Sequence, residues 1–217
     1  MFGMDSNSIA YLGSLGLLTA CLGVTCAKLI RLTKERNALA ADLQKSAASN
    51  EQLKKLALYD WLTGLPNRLL LEDRLQQAIA KAQREQACFV VFFLDLDCFK
   101  MVNDKFGHAV GDLLLNQIAL RLSENLRHQD TIARMGGDEF VVVAEINTAQ
   151  DISAIHEKMA KSFARPFVIS GNTLTIDASI GHSRYPEDGE SIGDLLAKAD
   201  DGMYYLKNEK RLDLISS

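Results

Sequence analysis

The pattern of apolar and polar positions divides the chain into an uncharged N-terminal run, a polar helical stretch and a longer mixed segment. In the mixed segment, helices are predicted over residues 70–84, 113–127, 152–163 and 192–206. Strands are predicted from short apolar or β-prone runs over residues 89–94, 131–135, 140–144 and 174–181. Elements in this order favour an α/β (α+β) fold, with a central, mostly antiparallel sheet flanked by helices.

The N-terminal run is long enough to cross a membrane as a helix. Residues 6–27 carry no charge, and about 20 apolar residues span a hydrocarbon core of ~30 Å. Lys28 and Arg31 follow the run closely, whereas Asp5 is the only charged side chain before it. The positive-inside rule then predicts a single-pass membrane protein with the mixed segment in the cytoplasm. Basic residues after the run, rather than before it, argue against a cleaved signal peptide. A buried soluble helix remains the alternative.

The polar stretch between the run and the mixed segment is predicted to be helical. Residues 33–58 are rich in helix formers and contain neither Pro nor Gly. In a heptad pattern, Leu39 with Leu43 and Leu53 with Ala57 would form a seam. Arg36, Ser46 and Asn50 interrupt it. A short coiled coil and a monomeric linker helix therefore both remain open. The predicted domains are a transmembrane anchor over residues 1–30, a linker helix over residues 31–57 and a folded domain over residues 58–217.

Composition excludes several classes of function. The formal net charge is −4, so no basic surface indicates nucleic-acid binding. The four cysteines are scattered without metal spacing, which makes a disulfide framework or a zinc site a poor interpretation. The 47% hydrophobic content over 217 residues is enough for one sizeable domain.

Two acidic clusters stand at the ends of predicted strands. Asp95 and Asp97 follow the first strand at a spacing of two, which points them to the same face. The sequence GGDE at residues 136–139 joins two predicted strands, a hairpin signal with glycines where positive φ is needed. If this hairpin pairs beside the first strand, Asp138 and Glu139 approach Asp95, and Mg²⁺ with a nucleotide triphosphate could bind there. A surface turn with solvated acids is the alternative, although two such clusters in one short domain count against it.

Five motifs resemble those of the GGDEF family of diguanylate cyclases, in the family's order. They are DWLTGLPNR (60–68), DLDCFKMVNDKFGHAVGD (95–112), RMGGDEF (134–140), ASIGHSRYPEDG (178–189) and KADDGMYYLKNEKR (198–211). The resemblance implies a fold like the palm of polymerases and nucleotide cyclases. It also implies that two GTP molecules become cyclic di-GMP and two pyrophosphates, as each 3′-hydroxyl attacks the α-phosphate of the opposite GTP. Because each protomer binds one GTP, a homodimer is implied.

The same resemblance assigns a metal site to the two acidic clusters. Asp95, the Leu96 carbonyl and Asp138 match ligands of Mg²⁺, with Mn²⁺ as an alternative ion, and Glu139 matches a ligand of a second metal. Asp138 or Glu139 is then the base, and we favour Asp138. Asp97 has a competing role as a structural cap for the turn that follows it.

The resemblance places guanine recognition in the loop after the metal strand. Asn103 and Asp112 match the residues that bind the guanine edge. An amide offers both a donor and an acceptor, and a carboxylate offers acceptors alone, which suits that edge. An ordinary helix-to-helix connection around Gly107 is the alternative.

Phosphate contacts are implied at two places. Phe99 and Lys100 stand where the chain leaves the strand, and backbone N–H groups there could cradle phosphates as helix starts do. Lys207 and Arg211 match a family pair that reaches the triphosphate from the last helix. Their spacing of four puts them on one helical face, and a solvated basic face is the alternative.

Two positions in the last motif and one directly after it depart from the family pattern. Lys210 stands where the family usually has Gly, and Leu212 stands where it usually has Asn. Gly202 replaces the usual Ala, at a cost of up to about 1 kcal/mol in helix propensity.

One further motif resembles a regulatory site. Arg127 and Asp130 form an RxxD whose Asp lies four residues before Arg134. This spacing resembles the family's inhibitory site for cyclic di-GMP, where a guanidinium can bind phosphate or guanine acceptors. The alternative is an Arg favoured near the C-terminus of a helix, with Asp130 in the following turn.

The expected function is a product-inhibited diguanylate cyclase anchored in the bacterial inner membrane, with its catalytic domain in the cytoplasm. The alternative is a non-catalytic receptor that binds cyclic di-GMP or GTP. The intact Asp95, Asp138 and Glu139 favour the enzyme, because a receptor would more often have lost one of them.

Overall fold

The computed structural model describes the backbone of residues 6–216 and most side chains between residues 22 and 210. The chain divides into two compact units, the first ending at Lys54 and the second beginning at Lys55. Among the described residues, no helix is both long and apolar enough to cross a membrane. Most of the predicted span, residues 6–27, lies outside the residues whose side chains are described.

Six helices and six strands make up the described part of the chain. The helices are α1 (Ser6–Leu58), α2 (Arg68–Glu85), α3 (Phe99–Phe106), α4 (His108–Asn125), α5 (Ala149–Phe163) and α6 (Ile192–Ser216). The strands are β1 (Cys88–Leu96), β2 (Thr131–Gly136), β3 (Glu139–Ile146), β4 (Phe167–Ile169), β5 (Asn172–Leu174) and β6 (Ala178–Tyr185).

The central sheet has four strands in the order β2-β3-β1-β6, and every neighbouring pair is antiparallel. The predicted antiparallel sheet flanked by helices is therefore confirmed. Strand β1 lies inside the sheet, where Asp95 is the register partner of Glu139 on one side and of Ser179 on the other. Strands β4 and β5 form a separate hairpin.

Strand β1 is apolar from Phe89 to Leu94 because both of its faces are covered there. Val90, Phe92 and Leu94 belong to a core shared with α4, α5 and the β4–β5 hairpin. Phe89, Val91 and Phe93 belong to the opposite core, shared with α2 and α6. Since side chains alternate along a strand, the side chain of Asp95 continues the second row and emerges on the α6 side.

Helix α6 runs along β6 in close backbone contact. The Ser183 hydroxyl donates to the Leu195 carbonyl over 2.7 Å. Further along, a Cβ atom added to Gly181 would lie 2.1 Å from the Ala199 carbonyl oxygen. Only a glycine allows this approach, which directs the later part of α6 toward the end of β1 that carries the acids.

Several sequence-predicted boundaries were wrong: the last helix, predicted to end at residue 206, runs to Ser216. The strand predicted over residues 174–181 is split, because β5 ends at Leu174 and β6 begins at Ala178. The Asp177 carbonyl accepts a hydrogen bond from the Asp97 N–H over 2.9 Å, so this segment binds the turn after β1 instead of a strand. The helix predicted from residue 113 begins at His108, directly after Gly107 at φ +85°.

Candidate active site

The end of β1 and the β2–β3 turn bring three predicted site residues together. Asp95 is buried, with 8% of its surface exposed, and Glu139 lies opposite it on β3. Directly opposed residues of antiparallel strands present their side chains to the same face. The Leu96 N–H donates to the Asp138 carbonyl over 3.3 Å, which holds the turn against the end of β1.

The turn that carries Asp138 depends on its two glycines. Gly136 has φ +144° and Gly137 has φ +53°, both in the region that favours glycine. The register of β2 and β3 also shifts between Arg134 and Gly136. A bulge of this kind re-aims the side chains that follow it, and here those are the acids at the start of β3.

An ion pair that the sequence pattern does not indicate supports this turn from outside. Arg134 Nη1 lies 2.9 Å from Asp60 Oδ1 and 3.1 Å from Asp60 Oδ2. The same guanidinium donates to the Gly137 carbonyl from Nε, over 3.1 Å, and from Nη2, over 2.7 Å. Asp60 is itself held by the N–H and hydroxyl of Thr63. Both charged residues stand in family-like motifs, which was the available signal for a shared role.

Burial and crowding of acids make this site electrostatically strained. Burial raises the pKa of Asp95, the neighbouring Asp138 raises it further, and the hydrogen bond from Lys207 opposes both effects. Burial also raises the pKa of Glu139, with added repulsion from Asp95 and Asp138. The Lys207 ammonium lies 2.5 Å from Asp95 Oδ1 and is the cation that offsets this negative charge.

The donor set suits a magnesium ion that shares its coordination with a substrate. Within the described part of the chain, no three His, Cys, Asp or Glu side chains converge as a complete metal cage. Mg²⁺ does not require one, because it is usually held by one or two carboxylates together with substrate phosphates. The buried carboxylate of Asp95 and the half-buried carboxylate of Glu139 repel each other, and they are the hard oxygen donors that such an ion prefers.

The predicted phosphate-contacting residues surround one cavity beside the acids. Helix α3 begins at Phe99, after Cys98 in the left-handed conformation, and no side chain caps its first turn. The N–H groups of that turn can therefore meet an anion. The cavity has a volume of about 810 Å³. Its lining includes Phe99, Lys100, Asp138, Lys207 and Lys210. The side chain of Arg211, which was predicted to bind the triphosphate together with Lys207, lies outside the described residues.

The two predicted guanine-binding residues come from neighbouring helices. Asn103 is on α3, and Asp112 is in the first turns of α4. The Asn103 side chain lies against Gly111, since a Cβ atom added there would be 2.0 Å from Asn103 Oδ1. The close approach at Gly111 therefore brings the Asn103 amide beside the residue that precedes Asp112.

Asp97 has contacts different from those we expected. It does not cap the turn that follows: Cys98 occupies the cap position of α3, without a side-chain hydrogen bond. The Asp97 carboxylate instead accepts from the Ser179 hydroxyl over 2.7 Å and from Lys210 Nζ over 2.7 Å. It therefore joins the end of β1 to β6 and α6.

The predicted inhibitory residues lie at the opposite end of β2 from the acids. The Arg127 N–H donates to Asp130 Oδ2 over 2.9 Å, while the Arg127 side chain is exposed. Burial raises the pKa of Asp130, and the hydrogen bond from Arg127 opposes that shift. The turn thus holds the half-buried carboxylate of Asp130 against the backbone of Arg127, whose side chain is exposed.

Residues 57–212 match the family described as diguanylate cyclase, GGDEF domain. The chain belongs to the GGDEF family of diguanylate cyclases. Over 215 residues it is 44% identical to the bifunctional diguanylate cyclase/cyclic di-GMP phosphodiesterase MucR of Pseudomonas aeruginosa. That match covers 96% of this chain and 30% of MucR. The chain therefore spans less than a third of the length of this GGDEF relative.

Solved GGDEF structures share the fold. The GGDEF domain of TpbB from Pseudomonas aeruginosa matches with a TM-score of 0.68 and 39% identity, covering 70% of this chain and 89% of that one. The GGDEF domain of DgcB from Caulobacter crescentus, solved in complex with c-di-GMP, matches with a TM-score of 0.64 and 26% identity. That match covers 70% of this chain and 91% of the DgcB chain.

Proposed function

We propose that this chain is a diguanylate cyclase that condenses two GTP molecules into cyclic di-GMP and two pyrophosphates. The single observation that carries the proposal is the convergence of Asp95, Asp138 and Glu139 beside the cavity at the start of α3. The names of its relatives support the same chemistry. A receptor would not need three buried or half-buried acids whose mutual repulsion destabilises the fold.

Each part of the site has a role in this reaction. Asp95, the Leu96 carbonyl and Asp138 would hold Mg²⁺ or Mn²⁺, and Glu139 would serve a second ion. A bound metal pair lowers the pKa of the attacking 3′-hydroxyl and neutralises charge on the leaving pyrophosphate. Asp138, at the tip of the turn, would accept the proton of that hydroxyl.

The substrate would lie across the two sides of α3. The first-turn N–H groups at Phe99 and Lys100, together with Lys207 and Arg211, would bind the triphosphate. Asn103 and Asp112 would bind the guanine edge, the amide as donor and acceptor and the carboxylate as acceptor. Guanine would thus be chosen by hydrogen bonds, which discriminate more strongly than apolar contacts do.

A homodimer is part of the proposal, because two GTP molecules must face each other from two protomers. Leu39, Leu43 and Leu53 are each more than 60% exposed along α1. These leucines support pairing of α1 with a second copy as a short coiled coil.

The proposed location is the bacterial inner membrane, with one span over residues 6–27 and the cyclase domain in the cytoplasm. The uncharged run and the basic residues that follow it support this location. Carbonate extraction of cells expressing the full chain should leave it in the membrane fraction, whereas residues 31–217 should move to the soluble fraction. Extraction of the full chain into the supernatant would reject the anchor.

The deciding experiment is product chromatography of the full chain, purified in mild detergent and incubated with GTP and Mg²⁺. Asp138→Asn is the test variant, and Asp201→Asn, which changes an exposed acid of α6, is the matched control. We expect cyclic di-GMP from the wild type and from Asp201→Asn, and none from Asp138→Asn.

A different result would replace the enzyme with the receptor. If a dimeric wild-type protein binds GTP or cyclic di-GMP without forming product under Mg²⁺ and under Mn²⁺, the cyclase proposal is wrong. Product from Asp138→Asn equal to that of the wild type would instead reject the role of Asp138.

Product inhibition is a second part of the proposal, with Arg127 as the residue that binds the inhibiting cyclic di-GMP. An exposed guanidinium beside Asp130 can bind the phosphates or guanines of cyclic di-GMP. Arg127→Ala should raise the concentration of cyclic di-GMP that halves the rate by about tenfold or more. The initial rate should stay unchanged. Equal inhibition of Arg127→Ala and the wild type would reject the site.

A further inference from the structure

Lys210 departs from the family pattern and has three protein acceptors. Its ammonium nitrogen lies 2.7 Å from Asp97 Oδ2, 2.8 Å from Asp177 Oδ2 and 3.0 Å from the Ala178 carbonyl oxygen. An ammonium group has three N–H donors. Since the protein takes all three, Lys210 is suited to join elements of the fold and not to bind phosphate directly.

The three acceptors place Lys210 at the junction of three elements. Asp97 follows β1 and precedes α3, whose first turn faces the cavity. Asp177 and Ala178 stand at the entry to β6, and Lys210 itself is on α6. The side chain of Asp97 is 19% exposed and that of Asp177 is 68% exposed. The pair with Asp97 is therefore the stronger one, because exposed ion pairs contribute little.

Lys207, which is proposed to bind the triphosphate, lies on the same face of α6 as Lys210. Lys207 is three residues before Lys210, so the two side chains are neighbours on α6. Lys207 donates to Asp95 and Lys210 to Asp97, which makes two adjacent links between the helix and the end of β1. Among the described residues, Asp95 accepts the hydrogen bond that the Lys207 ammonium donates. Lys207 can therefore turn its remaining donors to a substrate while Lys210 keeps the helix in place.

We propose that Lys210 is a positioning residue for the triphosphate of GTP. It holds the turn before α3 and the later part of α6 at a fixed separation. Lys207 and the first-turn N–H groups of α3 then lie at the spacing that one triphosphate can bridge. This inference rests on the proposed function, because the triphosphate is its substrate.

The test compares Lys210→Ala and Lys210→Arg with the wild type in the full chain. Lys198→Ala removes an exposed lysine of the same helix and is the matched control. Three constants are measured: KM for GTP, the inhibition constant of pyrophosphate and the inhibition constant of guanosine. Pyrophosphate reports the phosphate contacts alone, and guanosine reports the base contacts alone.

For Lys210→Ala we expect KM for GTP and the inhibition constant of pyrophosphate to rise together by about fivefold to tenfold. A rise of this size corresponds to the loss of roughly one well-placed interaction. The guanosine constant and kcat should stay within about twofold to threefold of the wild type. Lys210→Arg should recover most of the loss, because a guanidinium can still bridge two carboxylates. Lys198→Ala should match the wild type in all of these constants.

Three outcomes would overturn the positioning role. They are an unchanged KM for GTP in Lys210→Ala, an equal rise in the guanosine constant, and no recovery in Lys210→Arg. If the wild type makes no cyclic di-GMP, the proposed function fails separately. Calorimetric binding of pyrophosphate to the wild type and to Lys210→Ala then still tests the positioning role, since it needs no turnover. Equal affinities would reject it.

Discussion

Arg134 and Asp60, 74 residues apart in sequence, form an ion pair that supports the turn between β2 and β3. The two side chains are 10% and 15% exposed, so the pair is largely withdrawn from water. Arg134 extends from Asp60 to the Gly137 carbonyl, which immediately precedes Asp138. The start of the GGDEF domain is thereby joined to the turn that carries Asp138 and Glu139, the residues proposed as metal ligands and base. A substitution at residue 60 should therefore alter the position of residue 138.

Asp60→Asn should weaken both the fold and the activity. Removing one charge leaves Arg134 with a weaker partner at a largely buried position, at a cost of about 2 kcal/mol. For a domain of this size, the thermal midpoint should fall by about 4–8 °C. The rate should fall about tenfold or more, because small displacements of a catalytic group are costly. Calorimetry and product chromatography check the two effects. An unchanged rate in a destabilised variant would show that the pair only stabilises the fold.

The loss in Asp60→Asn should depend on pH. Burial raises the pKa of Asp60, but its hydrogen bonds with Thr63 and Arg134 outweigh burial and hold the pKa below the ordinary value of 3.8. A depressed pKa contributes stability that is present above the ordinary value and is lost as pH falls through the folded value. The stability difference between the variant and the wild type should therefore be full at pH 7 and shrink below pH 3.8. A difference that is constant across this range would reject the electrostatic explanation.

Glu139→Gln should stabilise the protein while abolishing product. Burial and the neighbouring acids raise the pKa of Glu139 above 4.5, so ionisation destabilises the folded state. With a raised pKa, stability is full below the ordinary value and declines as pH rises through the folded value. In metal-free buffer at pH 8, the variant should unfold about 2 °C higher than the wild type. This rise in the thermal midpoint should disappear near pH 4. The control Glu157→Gln changes an exposed acid on α5 and should have neither effect. A lower midpoint for Glu139→Gln would contradict the prediction.

The sequence predicted the parts of the site that depend on local pattern. An apolar run that ends in acids indicated β1, and the glycine pair at residues 136–137 indicated positive φ, which both glycines have. Family motifs then named Asp95 and Asp138, although their roles stay predictions until activity is measured. Local periodicity and turn chemistry are sufficient for such features, because neighbours in sequence determine them.

Contacts between distant residues could not be predicted in this way. Nothing near Asp60 in the sequence indicates Arg134 as its partner, and Lys210 has acceptors from two other elements. The entry of β6 was misplaced for the same reason. Asp177, directly before β6, accepts a hydrogen bond from the N–H of Asp97 in the turn after β1, and that contact depends on the assembled sheet. Pairing between elements is set by tertiary packing, which periodicity does not describe.

Gly111→Ala should impair guanine recognition with little change in stability. The new Cβ atom would lie 2.0 Å from Asn103 Oδ1, so the Asn103 amide must move, and a flexible side chain can do so. We expect KM for GTP to rise about fivefold or more, as when one hydrogen bond to a base is lost. The double variant Gly111→Ala/Asn103→Ala should be no worse than Asn103→Ala alone, because both changes act through one amide. Additive losses would show that Gly111 acts elsewhere.

Gly202→Ala should stabilise the domain, although Gly202 lies where α6 crosses β6. A Cβ atom added there would meet the Gly181 Cα at 3.6 Å, which is ordinary van der Waals contact. Replacing a helical glycine by alanine then contributes about 0.5–1 kcal/mol to stability, or a rise of about 2–4 °C in the thermal midpoint.

The matched change across the same contact, Gly181→Ala, should lower the thermal midpoint. Its Cβ would lie 2.1 Å from the Ala199 carbonyl oxygen, and backbone must shift, at a cost of about 2 kcal/mol or more. Calorimetry of the two variants therefore separates a glycine that the helix–strand contact requires from one that it tolerates. Equal effects of the two substitutions would mean that α6 does not approach β6 as closely as described.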